Sequence, residues 1–214
     1  MINPREILFF DIETAAETQT FDWYSKAKAR EQRYCKGVDP AFTGKFYYES
    51  AWLYPEFSKV VCISYWQYEP LSQQWCFGSF VWDEESILSS FAATLASSRY
   101  ISGHNIKQFD VPYLMKRYIV NKLKVPGHLN SYGKKPWEMT NMIDTMEIWK
   151  GTGFSGTSLE VCSLACWLPN PKEEFNWLGV FQMFYAGEIN LIKEYCEWDV
   201  KATVRVYNEL YMYL

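Results

Sequence analysis

The run "ILFFDIET", Ile7 to Thr14, ends an apolar stretch with two acids, Asp11 and Glu13. A strand's side-chain period of two puts both on one face, with Ile12 opposite. They fall at the carboxyl end of the strand, where open α/β sheets gather their ligands. A third acid, Asp199, sits inside a helical stripe. Ile192, Asp199 and Val206 recur every seven residues with Tyr195 and Ala202 between them, so the face expected to meet the core carries a carboxylate. Tyr195, four residues before Asp199, shares that face. Asp110, in "GHNIKQFDVPYL", stands ahead of Val-Pro as a helix cap does. A carboxylate in a core stripe needs a cation or a full set of hydrogen bonds, because burying it uncompensated is costly. The chemistry these positions invite is cation binding. The structural alternatives are a solvated loop entry for Asp11 and Glu13, a Lys or Arg partner for Asp199, and a plain cap for Asp110.

These residues need elements to bring them together. "EILFFDIE" is apolar on both pleat faces, as a central strand covered by helices on both sides is. Residues 59–68 and 74–82 are β-branched and aromatic and read as a hairpin continuing that sheet. Asp83 caps a following helix, with Glu84 and Glu85 favourable in its first turn and Ile87, Leu88, Phe91 and Leu95 on one apolar face. Residues 99–105 form a short strand into a loop, and "FDVPYLMKRYIVNKL" a helix with Pro112 in its first turn. "MTNMIDTMEIW" reads as a strand or strand-to-helix junction, "TSLEVCSLACWL" opens with a Thr157/Glu160 capping box, and one long helix runs from Glu188. The alternation predicts one α/β domain over residues 1–214, with a mixed β-sheet flanked by α-helices. Residues 20–57, aromatic and charged, break the alternation and read as an insertion over one face.

The chain has 214 residues, 49% hydrophobic and 21% charged, which is globular and too apolar for disorder. Its six cysteines lack CxxC spacing and only two histidines accompany them, so they read as reduced core residues rather than a zinc site. Arg5, Glu6 and Asp11 interrupt the N-terminus before an apolar run reaches signal-peptide length, and no window approaches a membrane span. The expectation is a cytoplasmic protein with no membrane partner. Net charge is −4, yet Arg99 to Glu138 holds eight basic residues against two acids, a local +6 that leaves −10 elsewhere. Such a run is a solvated helix face unless an active site lies beside it.

Once these residues are in view, "DIET", "GHNIKQFD" and "YCEWD", in that order, resemble the three motifs of the DEDD superfamily of 3′-5′ exonucleases. Tyr195-x-x-x-Asp199 is similar to the tyrosine-bearing branch, and the set looks most like the proofreading exonuclease domain of B-family DNA polymerases. The motifs span residues 11 to 199. The resemblance implies a ribonuclease H-like fold in which Asp11, Glu13, Asp110 and Asp199 hold two divalent cations, Mg²⁺ or Mn²⁺, ions that suit hard oxygen ligands. It implies that Asp11 bridges both ions, that Glu13 and Asp199 serve the one that generates the nucleophile, and that Asp110 serves the other. Tyr195, with an ordinary phenolic pKa near ~10, is assigned to positioning the attacking water. Asn105 and Phe109 lie near the terminal nucleotides, and Thr14 meets the 3′ end through its backbone. His104 stands where many such domains carry an aromatic residue, and the 20–57 insertion is unusual.

The helix that begins at Asp110 is basic, so Lys116 and Arg117 are expected to contact the nucleic-acid backbone, with the loop to Glu138 also flanking the groove. The expected activity is a metal-dependent exonuclease acting on single-stranded DNA or frayed DNA 3′ ends and releasing nucleoside 5′-monophosphates, with a polymerase or repair protein as a partner. Two alternatives stay open: an exoribonuclease trimming RNA 3′ ends, since no residue here is identified that reads the 2′-hydroxyl, and a non-catalytic nucleic-acid-binding accessory on the same fold. "GTGFSG", Gly151 to Gly156, matches a dinucleotide-binding pattern, but it comes late in the chain and reads as a loop before a capped helix.

Overall fold

The structure, a computed structural model, describes residues 2–17, 51–153, 155–169 and 179–214. Most of the expected 20–57 insertion, together with Cys35, lies outside the described residues.

The sheet has the order β3-β2-β1-β4-β5. Strand β1 (Ile7–Ala16) lies at its centre, antiparallel to β2 (Ser58–Glu69), which pairs antiparallel with β3 (Gln74–Val81). On its other side β1 runs parallel to β4 (Tyr100–Gly103), and β4 parallel to β5 (Met142–Asp144). The two apolar faces of β1 explain this position. Leu8, Phe10 and Ile12 pack with helices α1 (Glu84–Leu95) and α2 (Asp110–Val120), through Ile87, Leu88, Phe91, Val111 and Leu114. Ile7 and Phe9 pack instead against the long helix α6 (Ile189–Tyr213), through Val200 and Tyr207. The result is helix on both faces of a mixed sheet, as the sequence predicts.

The hairpin, the Asp83 cap and the final helix follow the sequence expectation. Asp83 accepts the backbone N–H of Ser86 at 2.9 Å, and Ile87, Leu88, Phe91 and Leu95 are all buried. The strand-to-helix junction resolves as β5 followed by α3 (Thr145–Lys150), with the Asp144 side chain capping α3. Ahead of α4 (Leu159–Ala165) the cap is Ser158, which accepts from Val161, and not Thr157. The Thr157 carbonyl is taken by the His104 ring at 2.7 Å, so the helix begins one residue later. The Gly151–Gly156 run follows α3 rather than a strand. Gly151, at φ +55, ends that helix, which removes the dinucleotide reading. The remaining described helix is α5 (Val180–Tyr185).

One offset in the sheet makes the site. Ile7, Leu8 and Phe9 of β1 pair with Tyr100, Ile101 and Ser102 of β4, and then β4 ends at Gly103. From Asp11 onward β1 pairs, among the described strands, only with β2, and on its other edge the Ile12 backbone meets the Asp110 side chain instead of a strand. A bulge between Glu13 and Thr14 bends β1 at this point. Gly103 marks where the chain leaves the sheet. A Cβ there would sit 2.8 Å from the Phe10 carbonyl oxygen and clash with Ile106, so no larger residue fits.

Candidate active site

Asp11 and Glu13 project from β1 on the α6 side, alternating with the buried Phe10 and Ile12. From α6, Asp199 is 9% exposed, on the buried stripe that also carries Ile192, Ala202 and Val206. Asp110 is the first residue of α2 rather than its cap; Phe109 holds the N-cap position without a side-chain bond. The acids sense one another. Asp11 is held well above the ordinary carboxylate range, first by burial and then by the charges of Asp110 and Asp199. Asp110 is pushed up to about 7 by burial, with Asp144 and Asp199 adding to the rise, while hydrogen bonds from the backbone of Asp110 itself and of Ile12 oppose it. Three of the expected acids, from β1, α2 and α6, therefore meet within electrostatic reach. One oxygen each of Asp11 and Glu13 and the sulfur of Cys196 lie within 4.8 Å of one another, close enough to share an ion.

Cys196 lies behind Asp11, its thiol directed at the Asp11 carbonyl at 3.3 Å and at Oδ2 at 3.7 Å. Burial, the neighbouring Cys62 and the acids push that thiol well up, so it is a neutral donor that steadies Asp11. Tyr195, one helical turn before Asp199, has its phenol raised by burial and then by Asp199, Glu13 and Asp11. It holds its proton and can donate a hydrogen bond.

A cleft of 570 Å³ opens beside these acids, lined by Glu13, Thr14, Trp52, Phe109, Phe181 and Tyr195. Thr14 is buried and donates its hydroxyl to the Trp52 carbonyl at 2.9 Å, tying the segment around Trp52 to β1. Phe109 meets Trp52 edge to face with centroids 6.1 Å apart and rests on Tyr113 at 5.4 Å. It is both a cleft wall and a packed side chain. Asn105 has a left-handed backbone, φ +67, and its buried Oδ1 has no hydrogen-bond partner among the described residues. His104 is a structural pin, bonded to Thr145 Oγ1 at 2.9 Å and to the Thr157 carbonyl, and burial lowers its pKa.

The expected contact of Arg117 with a nucleic-acid backbone needs correction. Arg117 is 2% exposed. Its guanidinium grips Glu84 with two bonds, Nε to Oε1 at 2.8 Å and Nη2 to Oε2 at 2.5 Å, and Nη1 donates to the Pro55 carbonyl at 2.7 Å. It is unable to reach a nucleic acid, because burial without Glu84 would strand its charge. Lys116 is exposed and pairs with Glu56 at 3.2 Å. No residue of the loop to Glu138 is among the described residues that line the cleft. His128 bonds the Ser98 carbonyl at 2.8 Å and Asn141 the His128 carbonyl at 3.3 Å, fastening the loop to the amino ends of β4 and β5, opposite the acids.

Three residues of the site were not singled out from sequence: Asp144, Cys196 and Trp52. Asp144 carried a readable signal, an acid in the apolar "MIDTM" just before a helix, the same kind of placement that marks Asp11. Cys196 is adjacent to Tyr195 in "YCEWD", where a cysteine reads as core. Trp52 lies in the aromatic stretch that carried no period at all.

A family model described as a predicted 3′-5′ exonuclease related to the exonuclease domain of PolB matches residues 50–213. The match takes in Asp110, Tyr195 and Asp199, while Asp11 and Glu13 precede it. No curated protein matches the chain significantly. Among solved structures, the family B DNA polymerase from the hyperthermophilic archaeon Pyrobaculum calidifontis superposes with a TM-score of 0.57 at 15% identity, over 97% of this chain. The chain spans 25% of that polymerase's length. At that identity the likeness speaks for the fold, a mixed sheet of the ribonuclease H-like kind.

Proposed function

Because the chain belongs to the family of predicted 3′-5′ exonucleases related to the exonuclease domain of PolB, we propose that it is a metal-dependent 3′-5′ exonuclease. Its substrate on this reading is single-stranded DNA or a frayed DNA 3′ end, and its product nucleoside 5′-monophosphates. The observation that carries the reading is the mutual charge among Asp11, Asp110 and Asp199 at the edge of β1 beyond β4, beside a cleft large enough for a nucleotide.

Clustered hard-oxygen donors that raise one another's pKa fit divalent cations, which relieve that repulsion on binding. Asp11, Glu13, Asp110 and Asp199 would hold Mg²⁺ or Mn²⁺, whose chemistry is to neutralise charge on the scissile phosphate and lower the pKa of water. The protein's own groups do the rest. The Tyr195 phenol, whose pKa is raised by burial and by the neighbouring acids, donates a hydrogen bond that orients the attacking water, a positioning role that suits a phenol better than general-base catalysis does. Cys196 holds Asp11 in place through the two contacts of its thiol. Trp52 and Phe109 form an aromatic corner on which an unpaired terminal base can stack. Thr14 sets that corner against β1.

Digestion of end-labelled single-stranded DNA and RNA of matched sequence, with Mg²⁺, Mn²⁺ or EDTA, tests the proposal. Loss of nucleotides from the 3′ end of DNA that stops in EDTA is the expected result, and faster loss from RNA reassigns the substrate. Degradation from the 5′ end, or degradation indifferent to EDTA, rejects the reading.

A further inference from the structure

On the flank of α6 away from β4, a second cleft of 420 Å³ opens against β2 and β3. The strand registers place Phe9, Trp66 and Phe77 opposite one another across β1, β2 and β3. This is one side-chain row, ~7 Å along the strands, from the row of Asp11, Ser64 and Ser79. Helix α6 crosses it, with Tyr207 edge-on to Phe9 at 5.2 Å and Lys201 Nζ 4.7 Å from the centre of the Phe77 ring. Beyond the helix the floor is open. Trp66 and Trp75 meet edge to face at 6.3 Å, and Trp75 is 44% exposed. Lys201 and Arg205, four residues apart and so on one helix face, stand at its rim. Among the described residues no carboxylate lines the cleft. Lys201 has Glu197 at 3.9 Å, and Arg205 makes no ion pair among the described residues.

None of these groups takes part in the chemistry proposed above. An apolar peptide would satisfy the indole floor but leave Arg205 without counter-charge and Lys201 with only its long pair to Glu197. A free phosphate would satisfy the cations and leave the indoles bare. Unpaired nucleotides supply both, a π face for an exposed indole and a phosphate for each cation. We propose that this cleft is a second binding site for single-stranded nucleic acid, with one base stacked on Trp75 and neighbouring phosphates at Lys201 and Arg205. The proposal rests on the exonuclease reading and adds to it a grip on the strand away from the end being cut. Affinity then depends on strand length, because only a strand long enough to reach past α6 engages both places.

Fluorescence anisotropy with labelled oligothymidylates of graded length, in EDTA so that no strand is consumed, tests this. Wild-type affinity should rise once the strand spans both sites. Trp75→Leu should leave the shortest strands unaffected and weaken the longest by roughly 5- to 150-fold, the range that one stacked base contributes. Trp75→Phe, which keeps a ring, should recover most of that loss. Arg205→Gln should lower the slope of log affinity against log salt by roughly 0.7 for long strands only. Variants that bind every length as wild type does, or that lose affinity equally at all lengths, overturn the second site. If wild type still degrades end-labelled DNA in that event, the exonuclease reading stands without it; a wild type that neither binds nor degrades oligonucleotides overturns both.

Discussion

Asp144 Oδ1 accepts the backbone N–H of Asn105 at 2.8 Å, a bond that, with the Phe109 N–H on the Asn105 carbonyl at 3.0 Å, fixes a non-glycine residue at φ +67 beside the clustered acids. The same carboxylate takes the amides of Lys107 at 3.1 Å and Met146 at 3.0 Å and is 2% exposed. It is at once the cap of α3 and the clamp of the loop leading to Asp110. Asp144→Ala should therefore destabilise the fold by about 2–4 kcal/mol, the combined scale of a lost cap and of charged hydrogen bonds to buried amides. Asp144→Asn, which keeps one acceptor oxygen, should lose less. Urea melts of the three proteins decide this, and equal midpoints would mean that the loop holds itself.

Stability should depend on pH in an unusual direction. Asp110 is raised from 3.8 to about 7 and Asp11 is raised as well, so between those values the native state binds more protons than the unfolded chain. The stability this contributes is complete below 3.8 and is lost progressively as pH rises to about 7. Metal-free protein should melt at higher temperature near pH 5 than near pH 8, whereas the stabilisation given by Mg²⁺ or Mn²⁺, which competes with those protons, should grow across the same interval. Asp110→Asn should flatten the metal-free profile. A wild-type profile as flat as the variant's counts against the raised pKa.

Asp199→Asn keeps the shape of the helix stripe while removing one of the converging charges. Without metal it should melt above the wild type, because a pair of like charges at ~4 Å repels by about 4 kcal/mol at an effective dielectric near ~20 before protonation relieves it. It should gain less from divalent ions and lose nearly all hydrolysis. Tyr195→Phe should keep the metal-induced shift and lose only part of the rate, since it removes a hydrogen-bond donor and no ligand. Melts with and without metal, paired with nuclease assays, separate the two; an active Asp199→Asn protein would remove that residue from the site.

Arg117 and Lys116, neighbours in sequence, should behave as opposites. Arg117→Met leaves Glu84 buried without a cation and should cost about 3–5 kcal/mol, much of it recovered when Glu84 is also replaced by an apolar residue. Lys116→Ala breaks an exposed pair with Glu56 and should cost less than about 1 kcal/mol. Chemical denaturation of the two single variants and the Glu84 double variant measures this. A cheap Arg117→Met would show that the pair contributes nothing to the fold.

That contrast also shows what a single sequence reveals. The two-sided apolar pattern of β1 and the acid inside the α6 stripe were legible, because burial imposes a period that polar intruders break. The destination of Arg117 was not. A run of basic residues fixes charge per length, whereas its partner, Glu84, stands 33 positions away and reads on its own as an ordinary first-turn acid. Asp144 was overlooked for a related reason, since its bonds go to backbone amides of a loop 37 to 39 residues earlier, which no local pattern announces. The one-residue shift of the α4 cap from Thr157 to Ser158 came from a tertiary competitor, the His104 ring, for the Thr157 carbonyl.

The three acids that raise one another's pKa arrive from β1, α2 and α6, elements far apart in sequence. During synthesis Asp11 and Asp110 leave the ribosome well before Asp199, and until α6 follows them β1 lacks the helix that covers Ile7 and Phe9. A chain in which α6 has not yet packed therefore has neither the three acids together nor a sealed sheet face. On the proposed function, the capacity to degrade nucleic acid arises only once α6 has docked on β1, so the step that closes the sheet face is also the step that arms the site.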